Sequence, residues 1–175
     1  MNDERVMEIV ELATADAASL RGTVELFRQK GVIYNHVVGK IASELEKRIS
    51  SVGEWTFLDV AKNPFGQTNN FIRLKHVQSG ICVRIAPESK ELCNFFIGLD
   101  NSDAGRFADD IRNRLSKIGG WKQTAYWPGW KYLPDHMLHW QGDFLADYLD
   151  GDKRHVIDAL VEELKAVQAL LLPKV

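Results

Sequence analysis

The sequence predicts an α+β fold: a four-stranded antiparallel meander carrying helices on one face, with an N-terminal helical hairpin or arm. Three observations support it. Apolar residues recur at helical spacing through the first fifty residues, at strand spacing between residues 54 and 99, and at helical spacing again towards the C-terminus. Strands that follow one another, with helices grouped before and after, suit an antiparallel sheet better than alternating βα units. At 175 residues with 45% hydrophobic side chains, the chain can bury one substantial core.

The first element is a heptad seam. Val6, Val10, Ala13, Ala17, Leu20, Val24 and Phe27 follow at alternating steps of four and three, with small residues in the middle. Gly31 interrupts, and Tyr34, Val38, Ile41, Leu45 and Ile49 resume a helical stripe. The pattern fits a hairpin or kinked pair lying on the sheet. The competing reading is one long arm that pairs with a second subunit, giving a homodimer through the N-terminal helices; a heptad run this short favours packing within the chain. Residues 1–50 therefore form an N-terminal helical region and residues 51–175 the α+β domain, expected to pack as one structural unit.

The period then changes. EWTFLDV, NFIRLKHV, ICVRIA and CNFFIGL are short, rich in β-branched and aromatic residues, and separated by the turn signals NPFGQTNN, QSG and PESKE. A two-residue turn at Ser79-Gly80 would place Ile72, Leu74 and His76 on one face with Ile81, Val83 and Ile85. Arg73, Lys75 and Arg84 then share the opposite face. In that register Cys82 faces away from the core, and Cys93 alternates with Phe95, Ile97 and Leu99 on the core face, so the two thiols do not meet.

Asn101-Ser102-Asp103 offers helix caps to a stripe of Ala104, Phe107, Ala108, Ile111, Leu115 and Ile118, which Gly119-Gly120 ends. A short helix is expected from about Asp143 to Leu149. Gly151-Asp152 breaks it, and Val156, Leu160, Leu164, Val167 and Leu171 mark a closing helix before Pro173. No linker rich in Pro, Gly or Ser divides the chain.

Charge and composition remove several function classes. A formal net charge of −2 provides no whole-chain field to draw the protein to nucleic acid or an anionic membrane. No run of residues approaches the length of apolar sequence that a membrane span needs. The acidic start MNDERVMEIVEL matches neither a secretory leader nor a transit peptide. Two cysteines make no disulfide framework, so the expected compartment is the cytoplasm.

The densest signal is aromatic. The stretch WKQTAYWPGWKYLPDHMLHW holds Trp121, Tyr126, Trp127, Trp130, Tyr132 and Trp140, with Pro128-Gly129 making a turn between two indoles. Such rings either cap the end of a sheet or form a rigid recognition patch for a partner. In the same stretch, His136 and His139 stand three apart beside Asp135, a spacing that lets two imidazoles approach one metal on a helix. A zinc site needs three or four ligands, and no third lies at recognisable spacing, so no metal is expected.

Asp59 with Glu88-Ser89-Lys90 matches in order the Asp…Glu-x-Lys constellation that holds Mg²⁺ and positions the attacking water in metal-dependent nucleases. The chemistry requires both halves on adjacent core strands, whereas Glu88 to Lys90 follow Pro87 in a turn. Arg73, Lys75 and Arg84 form a small basic patch able to touch phosphate, without a glycine cradle to seat one.

The run from the meander through LDNSDAGRFADDIRNRL and WPGWKYL to a Trp-ended segment and closing helix resembles the C-terminal portion of PD-(D/E)XK nuclease-like proteins of bacteria and phages. In those proteins the catalytic half lies upstream. The resemblance therefore implies an accessory or stand-alone binding domain. The resulting expectation is a non-catalytic protein-binding module that needs no cofactor and engages its partner through the aromatic segment. The alternative is a divergent Mg²⁺-dependent nuclease, or a nucleic-acid-binding remnant of one.

Overall fold

The computed structural model describes residues 3–51, 53–60, 72–89, 92–100, 108–140, 142–151 and 154–171. Contacts divide the chain into two units, Met1–Val37 and Val38–Val175.

The first unit is helical. Helix α1 spans Asp3–Thr14 and α2 spans Ala17–Arg28, and α3 starts at Lys30 and runs on to Ser50. The heptad seam does not form one continuous arm. Asp16 adopts an extended conformation and its Oδ1 accepts the backbone N–H groups of Ala18 and Ser19, both at 2.8 Å, which caps a new helix. The second break falls at Gln29, not Gly31, which lies in the first turn of α3. Among the described side chains of α1 and α2, only the small Ala13, Ser19 and Thr23 are half-buried. Every large apolar residue described on these two helices is exposed. The small residues line one groove with Ile9, Leu12 and Leu26, so large and small side chains share a face and the large ones stay open to solvent.

The second unit holds the core. Strands β1 (Trp55–Val60), β2 (Ile72–His76), β3 (Cys82–Pro87), β4 (Phe95–Leu99) and β5 (Trp130–Tyr132) form one antiparallel sheet in chain order. The meander therefore has a fifth strand beyond the four expected. Three half-buried residues are too few to display a period, so β5 was hidden in the aromatic block.

Ile72 pairs with Ile85, Leu74 with Val83 and Arg73 with Arg84, which gives the expected division of faces. The connection producing it is four residues, Val77 to Gly80, closed by the His76 N–H donating to the Ile81 carbonyl at 2.9 Å. Shortening or lengthening a loop by two residues leaves every side chain on the same face, so the pattern could not tell the two apart. Gly80, at φ +72°, takes the left-handed position that this loop requires.

Helices α4 (Ala108–Leu115), α5 (Gly142–Asp150) and α6 (Arg154–Leu171) are the remaining described α-helices. The expected caps at Asn101–Asp103, with Ala104 and Phe107, lie outside the described residues. Lys131 stands opposite Ile97 in the sheet and meets Glu163 of α6 at 2.7 Å, which sets α6 against the Ile97 face. Arg48 of α3 reaches Asp158 of α6 at 3.6 Å, so α3 lies beside α6. Val38, Ile41, Leu45 and Ile49 of α3, with Leu160, Leu164 and Val167 of α6, are buried in the core with Leu74, Ile85, Phe95 and Ile97. Packing thus changes inside α3, at Val37–Val38, while the element type changes near residue 50.

His76 sits in this core, with its ring centroid 5.0 Å from that of Trp55. Its Nδ1 lies 2.9 Å from the Ser79 hydroxyl and also accepts the Ser79 backbone N–H. A nitrogen that accepts needs the neutral ring protonated at Nε2. Burial pushes the imidazole below its ordinary value, and the Glu54 charge opposes this only in part.

Cys93 does not continue the β4 alternation. It lies in an irregular turn between Leu92 (φ 57°) and Asn94 (φ 55°) and is half-buried. Cys82 points to the opposite face, as expected, but is buried there, and the two cysteines form no disulfide with each other.

Candidate functional site

The aromatic block folds into a corner at the β5 edge of the sheet. Trp127 lies over Gly98, where an added Cβ would come within 2.7 Å of the indole, so a bare backbone position on β4 makes its seat. Phe96 meets Trp127 and Trp130 edge to face at 5.3 and 5.7 Å, and Trp130 meets Tyr132 the same way at 5.2 Å. Cations lie over the rings. Lys122 is 4.7 Å from the Trp130 centroid and 4.5 Å from that of Tyr132, Arg84 is 5.7 Å from Trp127, and Lys131 is 5.6 Å from Trp121. Lys122 also exchanges backbone hydrogen bonds with Trp130, covering part of the outer edge of β5.

The six rings are therefore not one surface. Trp140 is 0% exposed, stacked on Phe95 at 4.1 Å and donating its Nε1–H to the Met137 carbonyl at 3.0 Å. It belongs to the core, which corrects its place among the partner-binding residues. Trp121, Trp127, Trp130 and Tyr132 are half-buried, and Tyr126 is 80% exposed at the tip of the turn.

The nuclease-like set does not assemble. Asp59 stands opposite Arg73, just beyond a register irregularity in β1. Glu88 lies past the end of β3, two strands across and four residues along from Arg84, a backbone separation of roughly 16 Å. The Glu88 carboxylate accepts the Tyr132 hydroxyl at 2.5 Å and the Asn94 amide at 2.9 Å. That hydrogen bond, ahead of burial and of the Glu88 charge itself, holds the Tyr132 hydroxyl above its ordinary value. Lys90 lies outside the described residues.

The basic patch is largely neutralised. Arg84 donates Nε–H to Oδ2 of the buried Asp100 at 2.6 Å and pairs with it again through Nη2, and Arg73 Nη2 lies 3.9 Å away. Of the three basic residues, Lys75 alone is exposed. His136 lies within a short 3₁₀ turn, Asp135–Met137, and His139 just beyond it, and both are exposed; His139 Nδ1 accepts the Asn94 N–H at 3.4 Å. Among the described residues no three His, Cys, Asp or Glu side chains gather as metal ligands would.

The N-terminal unit carries the surface that the periodicity misjudged. Eleven large apolar residues between Val6 and Ile33 are exposed, from 37% at Val6 to 74% at Phe27. Ile9, Leu12, Leu26, Phe27, Ile33 and Tyr34 line a groove of about 840 Å³. A signal was present in the sequence. Met7, Ile9, Leu12 and Leu26 lie off the heptad seam, so these helices are apolar around more of their circumference than one stripe requires.

No family model, no curated protein and no solved structure matches the chain. Among the described residues no helix is long and apolar enough to cross a membrane.

Proposed function

We propose that this chain is a non-catalytic protein-binding module in which the helices before Val38 dock on a protein surface. One observation carries the reading: α2 buries none of its residues, although it presents Leu20, Val24, Leu26 and Phe27. Helices of 12 residues are marginal in water without tertiary packing, and an open groove lined by Ile9, Leu12, Leu26, Phe27 and Ile33 marks an interaction site. A second contact surface at the aromatic corner is supported by the 80% exposure of Tyr126 beside the half-buried Trp127. The engagement of Glu88 by Tyr132 and Asn94, and of Arg73 and Arg84 by Asp100, weighs against the nuclease or nucleic-acid alternative.

The test is a photo-reactive residue placed at Leu26 or at Tyr126 in the full chain and irradiated in cells. Protein adducts from position 26 support the helical surface. Adducts from position 126 alone move the contact to the aromatic corner, and adducts from neither overturn the reading.

A further inference from the structure

We infer that the groove of the first unit seats an amphipathic helix of another protein, one that carries a carboxylate where it passes Lys30. The inference rests on the reading of these helices as a docking surface and names what docks there. Shape, floor and charge each support it.

Each of the three helices lines the groove at i, i+3 and i+4, starting from Ile9 on α1, Ser19 on α2 and Lys30 on α3. That spacing is the inward face of a helix in a bundle, so three such faces around one groove shape a seat for a fourth helix. An extended segment would bring rows of backbone N–H and C=O groups against apolar walls, whereas a helix pairs its own. The rim is too open to enclose a small ligand, with Leu12, Leu26 and Phe27 standing 73%, 62% and 74% exposed.

The floor is bare at one point. Gly22 lies in the middle of α2, and a Cβ added there would meet nothing within 4 Å among the described residues. Glycine inside a helix is destabilising relative to alanine. No left-handed backbone and no close contact within the described chain requires it at this position. A helix packed from outside comes closest over a residue without a side chain, and Gly22 offers that approach along the groove.

Charge sets the sign. Among the described residues, Lys30 is the only charged one that lines the groove. A helix with a carboxylate at that point gains a pairing, and one with an ammonium is repelled. Two copies of this chain facing each other through the groove would bring Lys30 to a lining that holds no carboxylate.

The experiment is fluorescence anisotropy on the full chain with two labelled synthetic helices of about four turns. They share a leucine stripe and differ only in glutamate or lysine beside it. The glutamate peptide should bind about fivefold tighter than the lysine peptide, and Lys30→Glu should reverse the preference. Gly22→Leu should weaken the glutamate peptide by about tenfold or more while ellipticity at 222 nm holds or rises, because leucine favours helix where glycine does not. A merely adhesive surface would respond the other way, since that substitution adds an apolar side chain.

Failure of both peptides to bind, binding without preference for glutamate, or undiminished binding by Gly22→Leu each overturns the inference. Displacement of the peptide by oleate would make the groove an acyl-chain site and overturn it too. A dimer in light scattering that is lost in Leu26→Asp would give the groove to a second copy, with the same result. If the peptides fail while Leu26 still crosslinks to a protein in cells, the seated helix falls and the docking reading stands; with no crosslink, both fall.

Discussion

Trp140 and Tyr126 come from the same aromatic block, yet one is sealed between Phe95 and Phe144 and the other stands free at a turn. Composition marked both, and only their neighbours separate them. Trp140→Ala should lower stability by about 3 to 5 kcal/mol, the cost of emptying a large core site, while Tyr126→Ala should stay within about 0.5 kcal/mol. Urea denaturation followed by far-UV circular dichroism checks both. His76 sets a pH dependence of defined sign. Its folded value is depressed, so below its unfolded value near 6.5 the unfolded chain takes a proton that the folded one refuses. Stability should be complete above that pH and decline as the pH falls through it, levelling once the folded ring also protonates. Denaturation midpoints at pH 7.5, 6.0 and 5.0 should show the decline, and His76→Leu should flatten it. The alternation IRLKH against ICVRIA made the side of the sheet legible for His76. It could not reveal that Ser79 fixes the tautomer, because the length of the connecting loop is invisible to a period of two.

At the scale of elements, strands were legible wherever alternation ran for five residues, and β5 was missed for want of length. The sheet also guards its edges. β5 has three residues, with Pro128 and Pro134 flanking it and Lys122 paired to its outer side, and β1 at the other edge carries a register irregularity between Phe57 and Asp59. Among the helices, the seam from Val6 to Phe27 hid a junction. Asp16 has the chemistry of a cap, and its carboxyl is held below its ordinary range by the Ser19 and Ala18 backbone N–H groups and then by the Ser19 hydroxyl. Asp16→Ala should therefore reduce helix content in the first unit, read as a loss of ellipticity at 222 nm with tryptophan emission unchanged. Acid should mimic the substitution, since the cap is present above the unfolded value of 3.8 and lost as the pH falls through the lower folded one. An unchanged spectrum for Asp16→Ala would mean that the start of α2 does not depend on this carboxylate.

For the whole molecule, the α+β class followed from the order of periodic segments, and the helical first unit from its spacing. The depth of burial did not. Apolar periodicity reports which residues share a face and is silent about what the face meets, so the stripe of α3 that enters the core and the seam of α1 and α2 that faces water read alike in sequence. The open groove on the first unit has a consequence for handling. Under the docking reading proposed above, a chain made without its partner presents bare apolar side chains to every surface it meets. Its losses on vessel walls and in concentrated stocks should then fall when Leu12 and Leu26 are replaced by polar residues, with no change in the sheet.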